Sequence, residues 1–185
     1  FLIEDHKDDP DLVAFLTDIF QSAEKIKSII ESINLELVSA TKEPQWLDVY
    51  QLFQPAVKQA EDHGLVTCIV DNNVEVFSYS YLNKIFAILT DNTIRHGGKV
   101  TTITMSAECT EDGLALIYED NGIGIPTKDK EKIFLKYFGK NTGEGLYYAR
   151  SLLSLLGITI QETGRPGRGV KFELKIPANY YRQIV

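Results

Sequence analysis

Apolar residues repeat with two different periods, and the change divides the chain into an N-terminal helix and a following domain. From Asp9 to Ser39 the spacing alternates between four and three residues, at Leu12, Leu16, Ile19, Ala23, Ile26, Ile30, Ile33 and Leu37. This a/d seam predicts one long helix that packs against another helix. Asp9 suits the N-cap and Pro10 the first helical position. An amphipathic helix lying on its own domain is the alternative interpretation.

The pattern changes after a break at residues 41–44. The segments that follow favour strands at Trp46–Tyr50, Val66–Val70, Val74–Tyr79, Val100–Cys109, Leu114–Asp120, Ile158–Glu162 and Val170–Ile176. Helices are predicted at Gln51–Asp62, with an early interruption at Pro55, and at Tyr81–His96 and Leu146–Leu156. Helices mixed with largely antiparallel strands in this order predict a two-layer α/β sandwich.

Composition narrows the classes of function. The chain has 185 residues and a formal net charge of −7, which disfavours a nucleic-acid partner. It has no apolar run near the length of a membrane span, so we expect no membrane contact from these residues. The two cysteines, Cys68 and Cys109, form no CxxC motif, which argues against a zinc site. A cytoplasmic location fits best, and an upstream membrane tether in a longer protein is compatible with it.

The first candidate site is the motif Asp120-Asn121-Gly122-Ile123-Gly124-Ile125-Pro126. Asp120 ends an apolar strand, and Gly122 and Gly124 allow a backbone to approach a ligand closely. A carboxylate in this position can accept a hydrogen bond from an exocyclic amine such as that of adenine. A DNG hairpin turn with an aspartate cap is the structural alternative.

The second candidate lies on the helix predicted at Tyr81–His96. One face of that helix carries two apolar and two polar residues, Ile85, Leu89, Asn92 and His96. A buried amide needs a partner, and an Asn92 carbonyl together with phosphate oxygens would suit Mg²⁺. Asp91 is placed to orient a water or a nucleophile, and Arg95 and His96 to meet phosphate. A helix end that turns polar before a Gly-Gly pair explains the same residues.

The third candidate combines a glycine-rich helix start with an aromatic segment before it. The run Lys140-Asn141-Thr142-Gly143-Glu144-Gly145-Leu146 leaves backbone N–H groups free to bind phosphate. The preceding residues, Thr127–Lys140, carry Phe134 and Phe138 among many charges, which is typical of a lid over a ligand. A flexible loop before a capped helix and a surface helix with anchoring aromatics are the alternatives.

In this order, the motifs resemble the ATP-binding domain of histidine kinases in the GHKL superfamily, over about Trp46–Pro177. The resemblance implies the GHKL (Bergerat) α/β sandwich, with ATP and Mg²⁺ as cofactors. It implies that Asp120 reads adenine, that Asn92 holds Mg²⁺ and that Asp91 and Asn92 serve catalysis. The other nucleotide-binding residues would be Arg95, His96, Gly122, Gly124, Ile125, Phe134, Phe138, Lys140, Thr142, Gly143, Gly145 and Leu146. Several stretches, such as YFGKNTGEGL, look most like histidine kinases of methanogenic archaea.

The N-terminal helix resembles the second helix of the family's dimerisation and phosphotransfer hairpin. Residues 1–43 would then be that helix, without the first helix of the hairpin, and residues 44–185 the catalytic domain. The implied function is transfer of the ATP γ-phosphoryl group to a histidine outside this chain, in a two-component system. The implied partners are a second copy, through the 10–39 helix, and a response-regulator receiver domain. A GHKL-type ATPase or serine kinase, or a non-catalytic dimeric nucleotide-binding module, is the alternative.

Three departures from the family pattern bear on these expectations. Glu144 stands where the family usually has Leu, which puts a negative charge beside the phosphate loop unless it points to solvent. Val170 replaces a common Thr near the adenine carboxylate. The family's acceptor is a His followed by an acidic residue, and neither His6, before Lys7, nor His63, before Gly64, has that form.

Overall fold

The computed structural model describes residues 12–19, 22–23, 43–70, 73–138 and 144–184. Residues 12–19 and 22–23 are helical, as the seam predicts, and the rest of the 9–39 helix lies outside the described residues. Leu12 and Leu16 are half-buried, whereas Ile19 is 49% exposed. The assignment of residues 1–43 to a dimerisation hairpin therefore stays a prediction. Within the described part of the chain, no helix has the length and apolarity needed to cross a membrane.

Three α-helices and two sheets make up the described residues from 43 onward. The strands are β1 (Gln45–Asp48), β2 (Val66–Val70), β3 (Val74–Ser78), β4 (Thr102–Thr110), β5 (Gly113–Asp120), β6 (Thr159–Glu162), β7 (Lys171–Pro177) and β8 (Tyr181–Gln183). The helices are α1 (Val49–Asp62), α2 (Leu82–His96) and α3 (Gly145–Ser154). The larger sheet has the order β2-β4-β5-β7-β6, and the smaller has the order β1-β3-β8.

The core lies between the larger sheet and the helices. All neighbouring strands in that sheet are antiparallel except β2 and β4, which are parallel. Alternate residues of β5, such as Leu116 and Tyr118, are fully buried and belong to the same core cluster as the apolar faces of α1 and α2. In that cluster the rings of Phe53 and Phe86 meet edge to face, with centroids 4.7 Å apart. The α/β sandwich expected from the sequence is confirmed.

Two expectations for the first helix were wrong. The strand predicted at Trp46–Tyr50 ends at Asp48, because the Asp48 carboxylate caps α1 by accepting the N–H of Tyr50 at 2.8 Å. The helix also continues through Pro55. A proline removes one backbone hydrogen bond, but buried neighbours such as Phe53 and Ala56 hold the helix against the core.

The last strand, β8, was not predicted. It is three residues long and carries only one apolar side chain, so it has no readable alternation. It pairs with β3, and Arg182 within it contacts Glu75 and stacks over Trp46 with 4.3 Å between guanidinium carbon and ring centroid. Its position therefore depends on side chains from β1 and β3.

Candidate functional site

The Asp120 carboxylate lies at the end of β5, is only 7% exposed and is held by three hydrogen bonds. Its Oδ1 accepts the N–H groups of Gly122 at 2.9 Å and Val170 at 3.1 Å. Its Oδ2 accepts the Thr93 hydroxyl at 2.6 Å. An ionised carboxylate offers about four lone-pair positions, so this fixed group keeps capacity for roughly one further donor.

Thr93 is a site residue that the sequence analysis missed. It lies on α2 and is 3% exposed. Its hydroxyl accepts a hydrogen bond from the Tyr118 hydroxyl at 2.9 Å and donates one to Asp120. Burial raises the pKa of Tyr118, which keeps its hydroxyl protonated as the donor of this chain. The sequence did offer a sign of this role. Thr93 follows Leu89 by four residues and so shares its buried helix face, where a threonine hydroxyl needs a hydrogen-bond partner.

The glycines after Asp120 allow three backbone segments to meet. A Cβ at Gly122 would lie 2.8 Å from the Val100 side chain and would overlap the Gly97 carbonyl at the end of α2. Gly124 has a φ of 68°, and a Cβ there would lie 2.7 Å from the Gly169 carbonyl. Ile125 packs half-buried against the core. The structure therefore gives these glycines a packing role beside the loop-shaping role predicted for them.

Helix α2, which carries Asn92, contacts both of the other motifs. Thr93 beside it binds Asp120, and Ile88 one turn earlier faces the start of α3, where a Cβ at Gly145 would lie 3.3 Å from its Cγ2. Asn92 is half-buried, and its Nδ2 atom is buried without a hydrogen-bond partner among the described residues. A buried amide in this condition fits a position that contacts a ligand.

The neighbouring charged side chains of α2 are partly open to solvent. Asp91 and Arg95, 44% and 49% exposed, form an ion pair at 2.9 Å across one helical turn. His96 ends the helix on its exposed side. Phosphate contacts of Arg95 and His96 and a catalytic role of Asp91 stay predictions.

The aromatic segment is anchored more deeply than its composition indicates. It contains two short 3₁₀ turns, Thr127–Asp129 and Lys132–Phe134. Phe134 is 2% exposed, and the guanidinium of Arg150 lies 4.5 Å over its ring, so this residue of the charged segment belongs to the core. Phe138 is half-buried. At its base, Lys130 pairs with buried Glu162 at 2.9 Å.

The glycine-rich motif is described only from Glu144 onward. Lys140, Thr142 and Gly143 lie outside the described residues, and their predicted roles stay predictions. Gly145 begins α3, and Leu146 packs half-buried against the core. Glu144 is 1% exposed, so its side chain does not point to solvent.

The comparisons with known proteins address the same segments. The family described as "Histidine kinase-, DNA gyrase B-, and HSP90-like ATPase" matches residues 78–180, which include Asn92, Asp120 and α3. The chain belongs to this family. The fold resemblance stated from the motifs is thereby confirmed, whereas the particular likeness to archaeal methanogens stays a prediction.

Relatives within this family are named as sensor kinases. Sensor protein CiaH of Streptococcus pneumoniae is 31% identical over 104 residues, which cover 51% of this chain and 23% of that protein. Full-length ShkA, crystallised with AMPPNP, superposes with a TM-score of 0.71 at 15% identity, over 91% of this chain and 39% of that one. ThkA in complex with the response regulator protein TrrA gives a TM-score of 0.67 at 21% identity, over 95% of this chain and 54% of that one. The two structures establish the fold alone, and the chain spans about a quarter of CiaH.

Proposed function

We propose that this chain is the catalytic, ATP-binding part of a sensor histidine kinase. The observation that carries the proposal is the buried Asp120 carboxylate, held by Thr93, Gly122 and Val170 with capacity for one more donor. The exocyclic amine of adenine is a donor of the required kind. Among the family's activities, a kinase is favoured by relatives such as CiaH, a named sensor protein, and by the a/d seam before the domain.

The chain's contribution to phosphoryl transfer would be positioning. Asp120 would fix the adenine end, and the first turn of α3 would offer its backbone N–H groups to the phosphates. Asn92 would hold Mg²⁺ through its side-chain carbonyl oxygen. Within the described residues, no group of three or more acidic, His or Cys side chains could hold a metal ion. Mg²⁺ would supply charge neutralisation on the phosphate oxygens. Asp91, beside Asn92, is the residue we assign to orienting the nucleophile.

The partners follow from the same proposal. A second copy would pair through the seam of the 10–39 helix, and the phosphoryl group would pass on to a receiver domain. The TrrA complex of the structurally similar ThkA supports the latter. A cytoplasmic location is proposed with these partners, because ATP and receiver domains are available there.

A phosphotransfer assay tests the function against its alternatives. The chain is incubated with γ-labelled ATP and Mg²⁺, alone and with a polypeptide that carries the acceptor helix of a related hairpin. We expect acid-labile, base-stable label on the added helix only. We expect no label on two of the chain's own histidines because of where they lie. The His63 ring is hydrogen-bonded to the Gln59 carbonyl at the end of α1, and His96 ends α2.

Each rival function predicts a different product in that assay. A serine kinase gives acid-stable label, an ATPase releases phosphate without label, and a binding module does neither. Acid-labile label on the chain alone, mapped to His6, His63 or His96, would contradict the proposal.

The lid gives a second expected outcome, in amide hydrogen exchange. Lys130 and Phe134 already anchor Thr127–Phe134 to the domain, so we expect little change there when a non-hydrolysable ATP analogue binds. The amides of Leu135–Phe138 should slow down, because a nucleotide would cover this turn, in which Leu135 and Tyr137 are 57% and 62% exposed. Equal exchange at Leu135–Phe138 with and without the analogue would argue against a lid.

A further inference from the structure

The aromatic segment and the start of α3 are joined by a charged contact that the sequence did not predict. The Lys136 Nζ lies 3.6 Å from the Glu144 Oε1. It also lies 5.0, 5.9 and 6.0 Å from the ring centroids of Tyr137, Tyr148 and Tyr147. These are cation–π distances. One ammonium group is therefore surrounded by a carboxylate and three aromatic rings.

Glu144 places its charge at the end of α3 that would meet phosphate. It is the N-cap residue of this ten-residue helix, yet its side chain makes no capping hydrogen bond. Its carboxylate, in a side chain that is 1% exposed, instead faces Lys136. The N-terminus of a helix carries a partial positive charge that favours an anion. This carboxylate and a nucleotide phosphate would therefore compete for the N-terminus of α3.

The backbone next to Lys136 is strained, which indicates that its contacts hold it in place. Residues Leu135–Phe138 form a turn closed by the Phe138 N–H and the Leu135 carbonyl at 3.2 Å. Tyr137, the third residue, has a φ of 66°, where glycine or asparagine is usual. Such conformations persist where surrounding contacts impose them. A hydrogen bond with Tyr137 raises the pKa of Lys136, which keeps it a cation at neutral pH.

We propose that the Lys136–Glu144 ion pair is a latch between the lid and α3, which the nucleotide phosphates must open in order to bind. The inference rests on the proposed function. Glu144 repels the phosphates and also neutralises Lys136, a cation of the lid. When the nucleotide binds, one of its phosphates replaces the Glu144 carboxylate as the anion beside Lys136. Because Lys136 is 39% exposed, solvent screens the pair and its effect on affinity is moderate.

Matched substitutions test the latch by titration with Mg-ATP and with adenosine. Glu144→Gln removes the charge at nearly constant volume, and Glu144→Leu introduces the residue usual in the family. We expect both to raise ATP affinity by about fivefold and to leave adenosine affinity unchanged. Lys136→Met should lower ATP affinity, because it removes a lid cation that faces Glu144 and could meet the phosphates. Glu131→Gln is the control, since Glu131 pairs with Arg150 at 3.1 Å near the same lid and is 75% exposed.

The outcomes separate the latch from the proposed function. If the wild type binds ATP and neither Glu144 variant binds it more tightly, the latch is wrong and the function stands. If no variant binds ATP, both are wrong. Amide exchange of the nucleotide-free protein gives an independent readout. Leu135–Phe138 should exchange faster in Glu144→Gln than in Glu131→Gln, and equal rates would overturn the latch.

Discussion

Asn92→Ala is expected to slow phosphotransfer to an added acceptor helix by on the order of a hundredfold or more. The divalent cation contributes several kcal/mol of charge stabilisation, and about 1.4 kcal/mol corresponds to a tenfold change in rate. Asn92 is half-buried with an unpaired amide nitrogen, so its loss breaks no hydrogen bond within the described residues. The fold should therefore survive. The measurement is the initial rate of histidine labelling as a function of Mg²⁺ concentration.

Asn83→Ala provides the control for that experiment. Asn83 lies on the same helix, and its side-chain oxygen is also buried without a hydrogen-bond partner among the described residues. Removing it tests the general cost of losing an amide from α2. Equal rates for Asn92→Ala and the wild type at saturating Mg²⁺ would exclude Asn92 as a metal ligand.

Asp120→Asn is expected to lower ATP affinity by about tenfold or more. The substitution leaves one acceptor oxygen where there were two, yet Gly122, Val170 and Thr93 all donate to this side chain. The NH₂ group of the asparagine, which is itself a donor, must then face one of these donors or the adenine amine. An unpaired buried polar group costs about 1–3 kcal/mol. Calorimetric titration with Mg-ATP measures the loss.

Asp112→Asn controls for the change in net charge. Asp112 is exposed in the β4–β5 turn, at the opposite end of β5 from Asp120. We expect its ATP affinity to equal that of the wild type. A comparable loss in both variants would show that the Asp120 effect is electrostatic at long range and not a contact.

Site residues that belong to continuous motifs could be predicted from the sequence. Asp120, Gly122 and Gly124 lie within five residues, and the strand before them is recognisable from its apolar run. Asn92 was identifiable because helical spacing places it after Ile85 and Leu89 on one face. In each case the informative residues are neighbours in the chain, so local pattern carries the signal.

The partners of Asp120 lie in distant segments, and no local pattern predicted their contacts; only the family resemblance placed Val170 near this carboxylate. Val170 is 50 positions away from the Asp120 that accepts its N–H, and Thr93 is 27 positions away. Their contacts follow from the alignment of β5 with β7 and from the packing of α2 on the sheet. No pattern within either segment encodes that register.

Composition was misleading where one residue differs from its neighbours. Thr127–Phe138 is rich in charge, yet Phe134 enters the core and packs against Phe172 with ring centroids 6.3 Å apart. Glu144 was expected either to oppose phosphate or to face solvent, and its burial against Lys136 is a third arrangement. Average polarity describes a segment, whereas burial is decided for each side chain by its tertiary neighbours.

The central claim is that Asp120 reads the amino group of adenine, and a nucleotide swap tests it most directly. ATP and inosine triphosphate, whose 6-carbonyl replaces the 6-amino group, are titrated calorimetrically into the wild type and Asp120→Asn. We predict that the wild type prefers ATP by about tenfold or more and that the asparagine variant loses or inverts this preference, because its amide can donate to the carbonyl. Equal affinity of the wild type for the two nucleotides, or an unchanged preference in Asp120→Asn, would contradict the claim.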